Sequence, residues 1–420
     1  MVGTLERTPV PVYLDHAATT PLRPQARAAY LDAAAETGNP SSIHSAGQRA
    51  RQRLDAARET IAGALGAEGI ELILTSGGTE SINTALKGIF GARQRDGVRP
   101  ILVVAEGEHH ATMDSAEWLE AAAEAELRPV ELDAEGRISV AAFERALGAE
   151  TERIALASII AVNNEVGTIQ DVAALATVAA RHGVPLHVDA VAAIGHVPLD
   201  WAQLRRDSGS RNGAGLVALS LSAHKVGGPT GQGGLLLARD AVIDPLLHGG
   251  GQQRAVRSGS QDVPAAAAFA AAITATMAEQ ASERVRLAAL RDGLIQRVAE
   301  LVPEAVLNGP RGTDRAPGNI HLSFPGCEAD SLLFLLDMAG VAASTGSACQ
   351  AGIPEPSHVL RAMGRDEDGA RGALRITLGW TTTEADIEAF LRALPAAYAA
   401  ARRAGFSDRE VPGTVDRSGA

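Results

Sequence analysis

Cysteine is scarce in this chain: two residues in 420, Cys327 and Cys349. That is too few for a disulfide framework or a self-contained zinc site, so no resident metal is expected. Basic charge is also short. Thirty-eight Lys and Arg face 50 Asp and Glu, for a net charge of −12, and aromatics make up only 3%. With no basic stripe interleaved with aromatics, direct nucleic-acid binding is not expected. Long apolar runs are missing too. The longest uncharged alanine-rich stretch, Pro264 to Ala278, is too short to span a bilayer and reads as a packed helix. The N-terminus lacks the charged-then-apolar pattern of a secretory signal, so the expected location is cytoplasmic, with no membrane partner. No internal repeat is present.

What is present is a βα alternation. Glu71–Leu74, Ile101–Ala105 and Ile154–Ile160 read as strands, as do the runs ending at Asp189 and Leu221. Thr79–Phe90 and Val172–Arg181 read as helices between them. Gly233–Leu237 follows too soon for a helical crossover and is expected to be antiparallel. The pattern predicts an α/β fold with a mostly parallel sheet sandwiched by helices. From Pro264 a long helical pattern runs to about Val302. Ile320–Phe324 and Leu374–Leu378 then read as strands, and Asp330–Met338 and Glu384–Arg402 as helices, forming a smaller α+β domain.

Two residues stand out at strand ends. Lys225 closes Ser222-Ala223-His224-Lys225, just past Leu216–Leu219, and Asp189 ends Val184–Val188, 36 residues earlier. Ligands bind at the carboxyl ends of strands in such sheets. An amine and a carboxylate placed there suit pyridoxal 5′-phosphate (PLP). The lysine would carry it as a Schiff base, and the aspartate would pair with the pyridinium nitrogen.

Thr75-Ser76-Gly77-Gly78-Thr79-Glu80 joins a strand to a helix and offers free N–H groups to a phosphate, with Ser222 and His224 in reach. By itself it could equally be a capped βα turn. In Glu108-His109-His110-Ala111 an imidazole could stack on the ring and shuttle protons, and the doublet leaves the choice between His109 and His110 open. Asn163-Asn164 could donate amides or form an Asx turn. Arg375, inside an apolar strand, is either a clamp for a substrate carboxylate or half of an internal salt bridge. Cys349 sits in Ser344–Ser357, a small, polar, proline-punctuated loop in which a thiol can move between an active site and the surface. Cys327, after Phe324-Pro325-Gly326, reads as a turn residue near the core with no assigned role.

Together these residues resemble the NifS-like cysteine desulfurases, PLP enzymes of fold type I within the class V aminotransferase superfamily. The resemblance runs from Tyr13-Leu14-Asp15-His16-Ala17-Ala18-Thr19-Thr20-Pro21 to about Leu394. It takes in Gly38–Ser42, Thr75–Ser81, Asn163–Gly167, Ser222–Lys225, His248–Gly251 and Arg257–Ser260. Ser344–Cys349 and His358–Gly364 are similar to the long-loop, IscS-type subgroup. The resemblance implies residues 1–16 packed on the small domain, a large PLP-binding domain at 17–262, a small domain at 263–403 and a loose tail at 404–420.

It also implies roles. Lys225 holds PLP, Asp189 pairs with its ring nitrogen, and His109 takes the stacking position. Gly78, Thr79, Ser222 and His224 hold the phosphate, joined by Ser260 across a homodimer interface. Asn39, Asn164 and Arg375 receive the substrate carboxylate, with Asn164 also contacting the cofactor. Cys349 attacks the sulfur of L-cysteine, leaving L-alanine and a persulfide. The sulfur then goes to an acceptor protein, either an iron–sulfur scaffold or a thiolation enzyme. With a scaffold partner, Cys349 is also a candidate transient iron–sulfur ligand.

Two positions depart from the family pattern. Ala192 stands where glutamine usually faces the cofactor's phenolic oxygen, so one hydrogen bond is expected to be missing. Trp380 stands where IscS-type members often carry arginine. The alternatives are a selenocysteine lyase or class V aminotransferase, or, outside catalysis, a sulfur carrier with weak turnover. An aminotransferase would have no use for Cys349 in a mobile loop.

Overall fold

A computed structural model describes residues 12–95, 97–346 and 356–407 of the chain. The first described strand, β1 (Val12–Tyr13), belongs to a small parallel pair. The central sheet follows: β2 (Leu72–Thr75), β3 (Ile101–Ala105), β4 (Glu126–Val130), β5 (Ile154–Ile160), β6 (Pro185–Asp189), β7 (Gly215–Ser222) and β8 (Gly233–Leu237). Its order is β2-β8-β7-β6-β5-β3-β4.

β5 to β7 are buried along their whole length, as strands covered by helices on both faces must be. Their runs of Ile, Val, Leu and Ala follow from that. β8 pairs antiparallel with both β7 and β2 because the short connection from Ser222 to Gly233 cannot carry a crossover. β4, which the sequence reading did not separate, is the edge strand. It contains Pro129 and is only partly buried, and an edge is where a ladder tolerates a missing donor.

The expected boundaries hold to within a few residues. Glu71 leaves β2 because its side chain closes a capping box with Glu68. The helix expected at Thr79–Phe90 spans Gly78–Arg93, and the C-terminal helix, Glu384–Ser407, continues beyond Arg402.

After the sheet comes a 39-residue helix, Val263–Leu301, with Asp262 accepting from the Ala265 N–H and Pro264 in its first turn. Its two halves serve different cores. Ala266, Phe269 and Ile273 pack with the central sheet, whereas Leu287, Leu294 and Val298 join a second cluster with Phe324, Leu336 and Phe390. That second core lies against β9 (Val306–Leu307), β10 (Asn319–Ser323), β11 (Val341–Ala342) and β12 (Ala373–Thr377). β12, β10 and β9 form an antiparallel sheet, and β11 pairs with β1. No helix among the described residues is long and apolar enough to cross a membrane.

Candidate active site

β6 and β7 end side by side, with Asp189 opposite Ser220. Past Ser222 the chain tightens into a single 3₁₀ turn, Ala223–Val226, which presents Lys225. Gly227 closes the turn at φ +79, and a Cβ there would meet Arg23 Cγ at 2.6 Å, so glycine is required on two counts. Lys225 thereby faces a cavity of about 440 Å³ at the carboxyl ends of the strands.

The Lys225 ammonium is held by the carbonyls of Ala17 and Ala18, the latter at 2.8 Å. Burial, reinforced by the nearby Arg375 cation, lowers its pKa to about 8. Asp189 is 2% exposed, and among the described residues the one hydrogen-bond partner of its carboxylate is the Val191 N–H at 2.9 Å. Burial raises its pKa to about 6. A buried carboxylate with so little support can take a cationic N–H donor, and none of the described residues supplies one.

The wall opposite suits an anion. The helix Gly78–Arg93 begins at Gly77 without a side-chain cap, because Glu80 is turned to the Ser76 N–H at 2.7 Å and to Arg257 at 2.8 Å. The first-turn amides therefore stay open. Gly78 must be glycine, since a Cβ would lie 2.7 Å from Val191 Cγ2. Ser222 Oγ is buried with no partner, and Thr79 and His224 complete this wall. An unsupported acid, an accessible lysine, uncapped amides and an orphaned hydroxyl in one cavity fit PLP.

Both imidazoles of the doublet line the cavity. His109 caps the helix His110–Ala123, with Nδ1 accepting from the Ala111 N–H at 3.0 Å, which leaves the proton of the neutral ring on Nε2. His109 is exposed, and it lines the cavity. Enclosure and then the Lys225 charge push its pKa down to about 4. His110 turns instead toward Asp114 at 3.6 Å and the His358 ring at 4.9 Å.

The paired asparagines divide their work. Asn163 is the Asx turn, with Oδ1 accepting from the N–H groups of Glu165 and Val166 and Nδ2 donating to Gly107. Asn164 Oδ1 is buried without a partner in the cavity wall. Of the two readings of Arg375, the internal salt bridge is the one formed. One terminal nitrogen donates to the Asn164 carbonyl and the other pairs with Asp15, each at 3.0 Å, while Nε is buried and unpartnered.

Asn39 and Ser260 do not line the cavity. Both are exposed, and Asn39 Oδ1 accepts from the Ser41 N–H at 2.9 Å. Cys349 lies outside the described residues. Ser344 and Gly346, just before it in the chain, are part of the cavity wall. Cys327 is 4% exposed in the second core, and burial raises its thiol pKa to about 11, in keeping with the absence of an assigned role. Ala192 lines the cavity, and Trp380 donates to the Pro21 carbonyl and stacks under Arg23 at 5.0 Å.

Three features escaped the sequence reading. Asp15, within the Tyr13–Pro21 motif, holds Arg375. Glu108 is fully buried with Oε1 accepting from the Ile160 N–H at 2.5 Å, and burial and then Asp189 raise its pKa well above its ordinary value. The third was countable: the chain has only two lysines, and the other, Lys87, lies over the Trp118 ring at 4.3 Å, outside the cavity.

A mostly parallel sheet with a lysine and a carboxylate at adjacent strand ends, beside an uncapped helix start, defines the PLP-type class of active site. The class-V aminotransferase family model matches residues 12–390, and the chain belongs to that family, among its NifS- and IscS-like members. An IscS-like cysteine desulfurase of Mycobacterium tuberculosis is 47% identical over 94% of this chain and 98% of its own length. A solved NifS-like protein superposes with a TM-score of 0.83 at 31% identity, covering 93% of this chain and 99% of that one. A structure of SspA in complex with cysteine gives 0.72 at 28% identity, over 87% and 98%.

Proposed function

We propose that this protein is a PLP-dependent cysteine desulfurase that converts L-cysteine to L-alanine and places the sulfur as a persulfide on Cys349. The observation that carries the reading is the convergence of Lys225, Asp189 and the open helix start on one cavity whose wall leads directly into the cysteine segment. When bound, PLP supplies the electron sink that makes the substrate's Cα–H and Cβ–S bonds labile.

The chain's own residues supply the rest. Lys225 Nζ attaches the cofactor and then carries the α-proton, which its lowered pKa allows near neutral pH. Asp189 pairs with the ring nitrogen, and Gly78, Thr79, Ser222 and His224 take the phosphate. His109 stacks on the ring and holds a proton at Nε2. Arg375 Nε and the Asn164 amide receive the substrate carboxylate, with Asp15 orienting the guanidinium. The Cys349 thiolate attacks the substrate sulfur. An S–S bond forms as Cβ–S breaks, the electron pair stays with the carbon fragment, and protonation releases alanine.

An acceptor protein, an iron–sulfur scaffold or a thiolation enzyme, then takes the sulfur in the cytoplasm. The working unit is a homodimer in which the exposed Ser260 serves the partner's phosphate site, and the two hydrophobic cores support a division into a large and a small domain, with the change of core falling within the Val263–Leu301 helix, between Ile273 and Leu287. The test is incubation of PLP-loaded protein with L-cysteine. Alanine and sulfide should form together, and Cys349→Ser should abolish turnover while keeping the yellow colour. An unchanged rate in that variant, or a keto acid in place of alanine, contradicts the reading.

A further inference from the structure

A second groove, about 530 Å³, shares no lining residue with the catalytic cavity. It runs along the second half of the Val263–Leu301 helix and gathers three guanidinium groups, Arg291, Arg311 and Arg315, against two carboxylates, Asp292 and Glu300. Arg291 and Arg315 are only 2% and 1% exposed.

Arg315 satisfies its hydrogen bonds without satisfying its charge. Nε donates to the Pro310 carbonyl at 2.6 Å, one terminal nitrogen to Val166 at 2.8 Å and Asn319 Oδ1 at 3.4 Å, and the other to Asn308. Every partner is a neutral dipole. Burial, with Arg291 and Arg311 beside it, lowers its pKa to about 9. Arg291 spends Nε on Asp292 at 2.8 Å and one terminal nitrogen on the carbonyls of Arg315 and Ala316. Its other terminal nitrogen has no hydrogen-bond partner among the described residues. Arg311 is exposed and makes no ion pair or side-chain hydrogen bond among them. Asp292 and Glu135 offset part of the Arg315 charge from a distance, but no carboxylate among the described residues pairs with Arg315 directly. A buried cation without an ion-pair partner is costly, and a planar donor fork is suited to tetrahedral oxyanions.

We propose that this groove binds a compact oxyanion of the phosphate class, with Arg311 and the free terminal nitrogen of Arg291 as its donors and Arg315 supplying charge from beneath. A long polyanion is disfavoured, because Asp292 and Glu300 flank the site and the chain carries −12 overall. Arg315 also braces the carbonyl of Val166, next to Glu165 in the catalytic wall, so groove and cavity share a structural member.

The experiment is calorimetric titration of the full-length, PLP-loaded protein with inorganic phosphate, at ionic strength held constant with chloride. Saturable binding is expected, weakened at least about tenfold in Arg311→Ala, the effect of losing one charge-assisted contact. Arg206→Ala, an exposed arginine outside the groove, should bind as the parent does. No saturable binding in the parent, unchanged affinity in Arg311→Ala, or an equal loss in Arg206→Ala overturns the proposal.

Discussion

His187 and Asp189 lie two residues apart on β6, so they point to the same face of the sheet, and both are buried. Their surroundings differ in one respect. His187 is closed on both sides, by Ser158 of β5 at 2.9 Å and Ser220 of β7 at 2.8 Å, and burial lowers its pKa to about 3, so it stays neutral. Asp189 receives one N–H and faces open space. Around it, Ser222 Oγ, Asn164 Oδ1 and Arg375 Nε are buried without partners among the described residues. Burying polarity does not mark a site, since proteins do it wherever the partners are supplied. What marks this site is polarity left unsatisfied on the side facing a cavity. The inner network ties three strands together, and the outer groups line the cavity.

This contrast can be broken from either side. The largest effect is expected for Lys225→Ala, which should lose the yellow colour and at least about a thousandfold in turnover, because nucleophile and proton carrier disappear together. In the parent apoprotein, the rate of cofactor attachment should rise with pH through about 8, not 10.5, because only the deprotonated amine attacks and its folded pKa is lowered. Stopped-flow absorbance across pH checks this; a rate still climbing only near pH 10 would show that burial does not tune the amine. Asp189→Asn should keep the fold and lose on the order of a hundredfold in turnover, with the melting temperature of the apoprotein unchanged or raised. A large fall in apoprotein stability would instead make Asp189 structural.

His187→Leu should do the reverse. Orphaning two buried serines costs about 1–3 kcal/mol in urea unfolding, while the loaded enzyme that remains folded turns over normally. Loss of turnover without loss of stability would erase the distinction between the two networks. The smallest effect is expected for Ala192→Gln. A restored hydrogen bond is worth about 1 kcal/mol, or roughly fivefold tighter PLP retention. Unchanged affinity and an unchanged pH midpoint of the bound-cofactor absorbance would mean that residue 192 does not reach the cofactor.

Lys225 and Asp189 were legible in the sequence because each ends a long apolar run, and runs of that kind are central strands whose ends form the site. The antiparallel β8 was legible for a similarly local reason, the short connection that precedes it. β4 was not, because Glu126, Arg128 and Pro129 disguise an edge strand that only its neighbour defines. The choice within His109-His110 depends on one backbone N–H, and the choice within Asn163-Asn164 on which side chain closes the turn. Neither leaves a trace in spacing. Arg375's tie to Asp15 joins residues 360 positions apart, and the arginine groove likewise exists only once the chain has folded. Local chemistry is written locally, whereas satisfaction of a polar group is a property of the packed molecule.

With two lysines in the chain, the central claim has a direct test. The PLP-loaded protein is reduced with borohydride, digested, and the pyridoxyl label located by mass spectrometry. The account predicts label on the peptide containing Lys225 and none on that containing Lys87. Label on Lys87, or no stable label on Lys225, would contradict it.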